Sequence, residues 1–152
     1  MNTLGIRAKP CSVIIAVYDT EKALIVNVED IKIPKALPTP EALKYIRNSI
    51  LDILREFRIE KAGLRVVESN SQTLKIRRIE IEGVIQEAFA SSMLLAYFCG
   101  QISTITPKLN MKRADFKLYI DGAKVYDEVE NWNTHSKEEK EAIFTALGAV
   151  HA

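Results

Sequence analysis

The chain has 152 residues, 47% hydrophobic and 27% charged, and its 21 Lys and Arg against 20 Asp and Glu give a net charge of +1. That length suffices for one domain over residues 1–152, with a core that needs neither disulfides nor a structural metal. A near-neutral balance argues against a protein that coats nucleic acid indiscriminately, since that mode needs many phosphate-neutralising side chains, and leaves a local basic patch as the alternative.

Residues 3–8 and 12–19 are short apolar runs separated by Lys9-Pro10-Cys11, and Asp19-Thr20-Glu21-Lys22 is a polar turn before a third run, Ala23 to Ile33. Loops this short join neighbouring antiparallel strands, so the first 33 residues are expected to form a three-stranded meander. The second half of the third run alternates apolar with polar, as an edge strand with one wet face does. Thr39-Pro40-Glu41 then reads as a helix start, with a hydroxyl cap, a proline at the first helical position and an acid at the positive end of the dipole. Leu43, Ile46, Ile50, Ile53, Leu54 and Phe57 recur at three- and four-residue spacing and make one apolar stripe on a helix over 40–57. Ala62 to Val67 reads as a fourth strand, with Glu68 at its carboxyl end and the whole helix as a crossover, which makes this strand parallel to the first.

A second helix is expected from Gln72 to Ala90, on the apolar positions Ile79, Ile81, Val84, Ile85, Ala88 and Phe89. Gly83 interrupts it at a cost of about 1 kcal/mol relative to alanine, which suggests close packing against another element. Leu94 to Cys99 reads as a fifth strand. Residues 101–133 are weakly patterned apart from a short helix over Ala114 to Ile120. The last helix is announced by Ser136 and Glu139, a capping box, with Ile143, Ala146, Leu147 and Val150 as its buried stripe.

Cys11 and Cys99 have neither zinc-site nor dithiol spacing, so both are expected to be reduced and Cys99 to be buried. No apolar run approaches the roughly 20 residues that cross a bilayer, and the first residues lack a signal-peptide pattern, so a cytoplasmic location is the expectation. His135 and His151 carry little weight as catalysts, and no phosphate loop or nucleophile elbow is present.

The order of three meandering strands, helix, strand, helix, strand, irregular segment and terminal helix resembles the ribonuclease-H-like fold, and within it the Holliday-junction resolvases. Shorter features point the same way: Gly83-Val84 midway along the helix after strand four, and Glu141-Ala142-Ile143 in the last helix. The resemblance implies an α/β domain with a mixed five-stranded sheet, a three-stranded antiparallel meander plus two parallel strands, flanked by helices. It also implies a magnesium or manganese site, with one carboxylate from strand one, one from the end of strand four and two, three residues apart, from the final helix. Glu68, Glu138 and Glu141 stand at three of those places. At the fourth stands Arg7, a side chain with donors only, which cannot ligate a cation.

Arg7 is therefore expected to form an ion pair with Glu68 in place of the metal, with Glu138 or Glu141 approaching from the last helix, and no metal or other cofactor is expected. Lys75, Arg77 and Arg78 form one basic cluster and Lys108, Lys112, Arg113 and Lys117 another, and these are the candidates for contact with nucleic acid. Three readings stay open: a non-catalytic resolvase-like protein that binds nucleic acid or a protein partner, a magnesium- or manganese-dependent nuclease with an unusual ligand set, and a structural or oligomeric module. A two-fold homodimer and no membrane partner are expected in each case.

Overall fold

A computed structural model describes residues 1–152. In chain order the elements are β1 Asn2–Ala8, β2 Ser12–Asp19, β3 Leu24–Lys32, α1 Thr39–Glu56, β4 Ile59–Arg65, α2 Ile76–Ala90, β5 Ala96–Gly100, α3 Ile102–Lys108, α4 Arg113–Asp121, a 3₁₀ turn Trp132–Thr134 and α5 Lys137–Ala149. The sheet order is β3-β2-β1-β4-β5. β1, β2 and β3 form the expected antiparallel meander, while β4 is parallel to β1 and β5 parallel to β4. No helix is long and apolar enough to cross a membrane.

Side chains alternate across β1, and the alternation divides the molecule into two cores. Leu4, Ile6 and Ala8 join Val13, Ile15 and Val17 under α1 and α2, against Ile46, Ile50, Ile81, Ile85 and Phe89. Ile14 and Ala16 of β2 turn the other way, towards Ile105, Phe116, Trp132, Ile143 and Phe144. Residues 101–133, nearly featureless in sequence, wrap this second core. Trp132 stacks against Phe144 with ring centroids 4.8 Å apart and donates Nε1–H to the Tyr119 carbonyl at 2.9 Å.

α5 lies directly on β1 because Gly5 has no side chain. A Cβ there would sit 2.1 Å from the Ala142 carbonyl and 2.2 Å from the Ala146 nitrogen, both backbone atoms. Thr3, two residues earlier on the same face, donates its hydroxyl to the Ala146 carbonyl at 2.6 Å. The helix therefore runs antiparallel to β1 and brings its first turns to the carboxyl end of that strand. Its start carries both halves of the capping box: Ser136 accepts from the Glu139 amide, and Glu139 accepts from the Ser136 amide.

Several local expectations are corrected. β4 begins at Ile59 and ends at Arg65, so Glu68 lies three residues past the strand rather than at its end. α2 begins at Ile76, not Gln72, and α1 is capped by Pro38 with no side-chain hydrogen bond, so the Thr39 hydroxyl does not cap it. Gly83 has nothing within 4 Å of where its Cβ would stand, so no neighbour within the chain explains it. Cys99 is partly rather than fully buried, and both cysteines are free.

Candidate functional site

The carboxyl ends of β1 and β4 meet the first turns of α5 and α2. Arg7 is the register partner of Arg65, so two arginines stand side by side on adjacent parallel strands, facing α5. Like charges so placed repel unless an anion lies between them. Glu141 of α5 fills that role: one oxygen accepts from Arg7 Nε, and the other lies 3.6 Å from Arg65 Nη2. All three side chains are largely withdrawn from solvent. Arg7 Nη1 also donates to the Ala8 carbonyl, and Arg65 Nη1 to the Val66 carbonyl.

A second buried pair closes the site from the α2 side. Arg78 donates Nε–H to Glu82 at 2.8 Å, one helical turn on, and the other oxygen of Glu82 accepts from the Val67 amide at 3.2 Å. Burial, followed by the nearby charge of Arg7, pushes the Arg78 pKa below its usual value; Glu82 acts in the opposite sense, and Arg65 adds to the lowering. Burial, with a contribution from Glu82, raises the thiol of Cys99 on β5 to about 11.

The ion pair expected between Arg7 and Glu68 does not form. Glu68 lies on the segment after β4 and points to α4, where Arg113 Nη2 is 3.4 Å away. Arg7 turns to α5 because strand alternation puts it on that face, where Glu141 is the carboxylate in reach. Glu138, one turn before Glu141, is half-buried and makes no hydrogen bond or ion pair.

The three candidate carboxylates are thus separately engaged or apart, and no group of three or more His, Cys, Asp or Glu side chains converges closely enough to hold a metal ion. The donor set does not fit the pair of divalent cations that the resemblance implies: a guanidinium occupies the first ligand position, and a second guanidinium shares the Glu141 carboxylate.

The basic candidates divide by place. Arg78 belongs to the site, and Arg77 follows Ile76 at the start of α2, lining a shallow hollow with Pro10, Cys11 and Lys35. Lys75 is exposed just before that helix, while Lys112 and Arg113 begin α4 beside Glu68. Lys108 is at the opposite end of the sheet, donating to the His151 carbonyl at 3.0 Å and lying 5.0 Å over the Phe98 ring, so it cannot share a surface with the others. His151 lies there too, and His135 lines a separate hollow along β3.

Arg65 and Glu82 were not among the sequence candidates. The signals were present: Arg65 is the one charge in the apolar run Ala62 to Val67, and Arg78 and Glu82 have the four-residue spacing of a helical ion pair.

No protein-family model matches the chain, and no curated protein does. Solved structures do. Thermus thermophilus RuvC in complex with a Holliday-junction substrate has a TM-score of 0.71 at 18% identity, covering 97% of this chain and 91% of that one. A second T. thermophilus RuvC structure gives 0.69 at 16% identity, with 97% and 92% covered. The Holliday junction resolvase of fowlpox virus gives 0.50 at 13%, with 99% and 96% covered. At such identities the likeness establishes architecture, and with the sheet order and helix placement described above it is specific: the chain has the ribonuclease-H-like fold in its resolvase-like form.

Proposed function

We propose that this chain is a non-catalytic resolvase-like protein that binds nucleic acid as a two-fold dimer and does not cleave it. The observation that carries the reading is the Arg7–Glu141–Arg65 arrangement. Phosphodiester cleavage by two cations needs carboxylates that hold the metals about 3.5–4 Å apart. Here a fixed positive charge stands at the first of those positions, and the helix carboxylate best placed to help is held by two arginines. No cofactor is assigned.

Binding is supported by the basic side chains gathered at one end of the sheet, Lys75, Arg77, Arg78, Lys112 and Arg113, and by the fold shared with a protein solved on a Holliday-junction substrate. A patch of this size on a chain of net charge +1 suits a localised contact with phosphates rather than coating. Self-association is supported by the outer face of α2: Ile76 is 75% exposed and Ile79 is 42% exposed, and Gly83 one turn further has open space before it. A glycine with room in front of it lets a second helix approach closely, and two-fold pairing is the commonest way to cover such a face.

The test is a labelled four-way DNA junction, with duplex and single strands as comparisons, followed by fluorescence anisotropy in chelator and by strand scission in magnesium and manganese. Binding without scission is the expected result. Metal-dependent scission that disappears in Glu68→Gln would establish the nuclease reading instead, and failure to bind any of the three nucleic acids would leave the protein-interaction reading.

A further inference from the structure

Buried charge at the site does not balance. Within the mutually paired cluster, Arg7, Arg65 and Arg78 face the carboxylates of Glu141 and Glu82, three positive charges to two negative, with all five side chains largely withdrawn from water; Glu68, also withdrawn at this end of the sheet, is taken by Arg113. Glu141 is divided between Arg7 and Arg65, and Glu82 between Arg78 and the Val67 amide. Each guanidinium therefore has a carboxylate beside it, but Arg7 and Arg65 must share one.

The unmet demand is visible atom by atom. Arg65 Nε, Arg78 Nη2 and Arg77 Nη1 are buried with no hydrogen-bond partner, although Arg65 as a whole is 5% exposed. Buried donors are normally satisfied, most of all those that carry charge. Arg7 Nη2 and Arg78 Nη1 also make no hydrogen bond within the chain, and their side chains keep 16% and 14% of their surface in solvent. These are the two groups through which something outside the chain can enter. The lowered pKa of Arg78, caused by burial and by Arg7 and Arg65, has the sign expected of a site that lacks one anion.

We propose that the carboxyl ends of β1 and β4 form a phosphate-binding site in which the guanidinium groups of Arg7 and Arg78 hold phosphate oxygens directly, with Arg65 beneath them supplying the excess charge. Guanidinium is suited to this because its planar fork presents paired donors to a tetrahedral oxyanion, where lysine presents a single point charge. The inference rests on the nucleic-acid reading for the source of the phosphate, a backbone phosphodiester, but the site's chemistry serves free phosphate equally. The same charge excess disfavours a divalent cation among these three guanidinium groups.

The first probe is inorganic phosphate, titrated against chloride at matched ionic strength and followed by the Nε–Hε resonances of the arginine side chains. Saturable shifts of Arg7 and Arg78 are expected, and the Arg7 shift should no longer saturate in Arg78→Gln. The decisive variant is Glu141→Gln. It removes one of the two carboxylates, raises the positive excess from one to two, and should tighten phosphate by about tenfold, a gain that a misfolded protein could not produce. Shifts that do not saturate, or a Glu141→Gln variant that binds phosphate no better than the original chain, overturn the proposal.

The second probe is the four-way junction. For it, Arg7→Gln and Arg78→Gln should each lower the slope of log affinity against log salt by about 1, one phosphate contact apiece. If the junction binds with an unchanged slope in both variants, the phosphate site is wrong and the nucleic-acid reading stands. If phosphate binds as expected and no nucleic acid does, the site stands and the nucleic-acid reading falls.

Discussion

Arg7 and Arg65 are register partners on adjacent parallel strands, and Glu141 of α5 joins them. This relationship ties the fold to the function, because α5 can deliver the carboxylate only while it rests on the bare backbone of Gly5. Removing Arg7 leaves Glu141 with its weaker partner, the more distant Arg65. Arg7→Ala is expected to cost about 1.5–3 kcal/mol, the range for a hydrogen bond to a charged group, measured by urea unfolding. The double variant Arg7→Ala/Arg65→Ala strands a buried carboxylate and should cost about 3–5 kcal/mol more than wild type. Glu141→Gln in the double-variant background should recover part of it, and additive single effects would show that the three residues are not coupled.

Gly5→Ala places a methyl group against α5 backbone that cannot rotate aside. A loss of roughly 3 kcal/mol or more is expected, since overpacking against backbone exceeds the usual 1–3 kcal/mol of a crowded core. Gly83→Ala is the contrasting case. With open space at the position in one chain, it should add about 1 kcal/mol through helix propensity when measured in the Ile76→Asp/Ile79→Asp background, where the α2 faces no longer pair. Thermal unfolding of the two variants side by side reads both signs.

Much of the architecture was legible before the structure. The meander and the parallel crossover follow from loop length, because connections of three and four residues admit only neighbouring antiparallel strands and a long amphipathic helix returns the chain in parallel. α3 was not legible: seven residues containing Pro107 give too short a pattern to register. The start of β4 was hidden by Glu60 and Lys61, which read as loop but lie in the strand. At the site, the sequence assigns Arg7 a pairing with Glu68 and an approach by Glu138 or Glu141, and the structure makes Glu141 the partner. Which carboxylate meets Arg7 depends on the face of β1 it occupies and on how closely α5 lies over Gly5, and both are tertiary facts. The basic cluster that contains Lys108 spans two opposite ends of the sheet, which spacing along the chain cannot reveal.

The two cysteines should differ in reactivity. Cys11 is exposed, whereas burial holds the Cys99 thiol protonated up to about 11. At mildly alkaline pH, iodoacetamide should modify Cys11 in the folded protein and reach Cys99 only after denaturation, as read by peptide mass. The folded state keeps a proton that the unfolded state loses from about 9 upward, so this contribution is full below pH 9 and is lost as pH rises towards 11. Cys99→Ala should flatten that part of the stability profile.

Dimer formation through α2 is tested by charge. Ile76→Asp/Ile79→Asp places two carboxylates on the exposed face without touching either core. Light scattering should give a dimer for the original chain and a monomer for this variant, with unchanged far-ultraviolet circular dichroism. A monomer in both would remove the α2 face from the account.

On the proposed reading guanidinium stands in the place of a metal, and calorimetry with magnesium and manganese decides the matter. The unmodified chain is expected to give no stoichiometric binding of either ion, and Arg7→Asp, which removes the positive charge and supplies a ligand beside Glu141, is expected to acquire weak affinity. Stoichiometric binding by the unmodified chain, abolished in Glu68→Gln, would contradict the account.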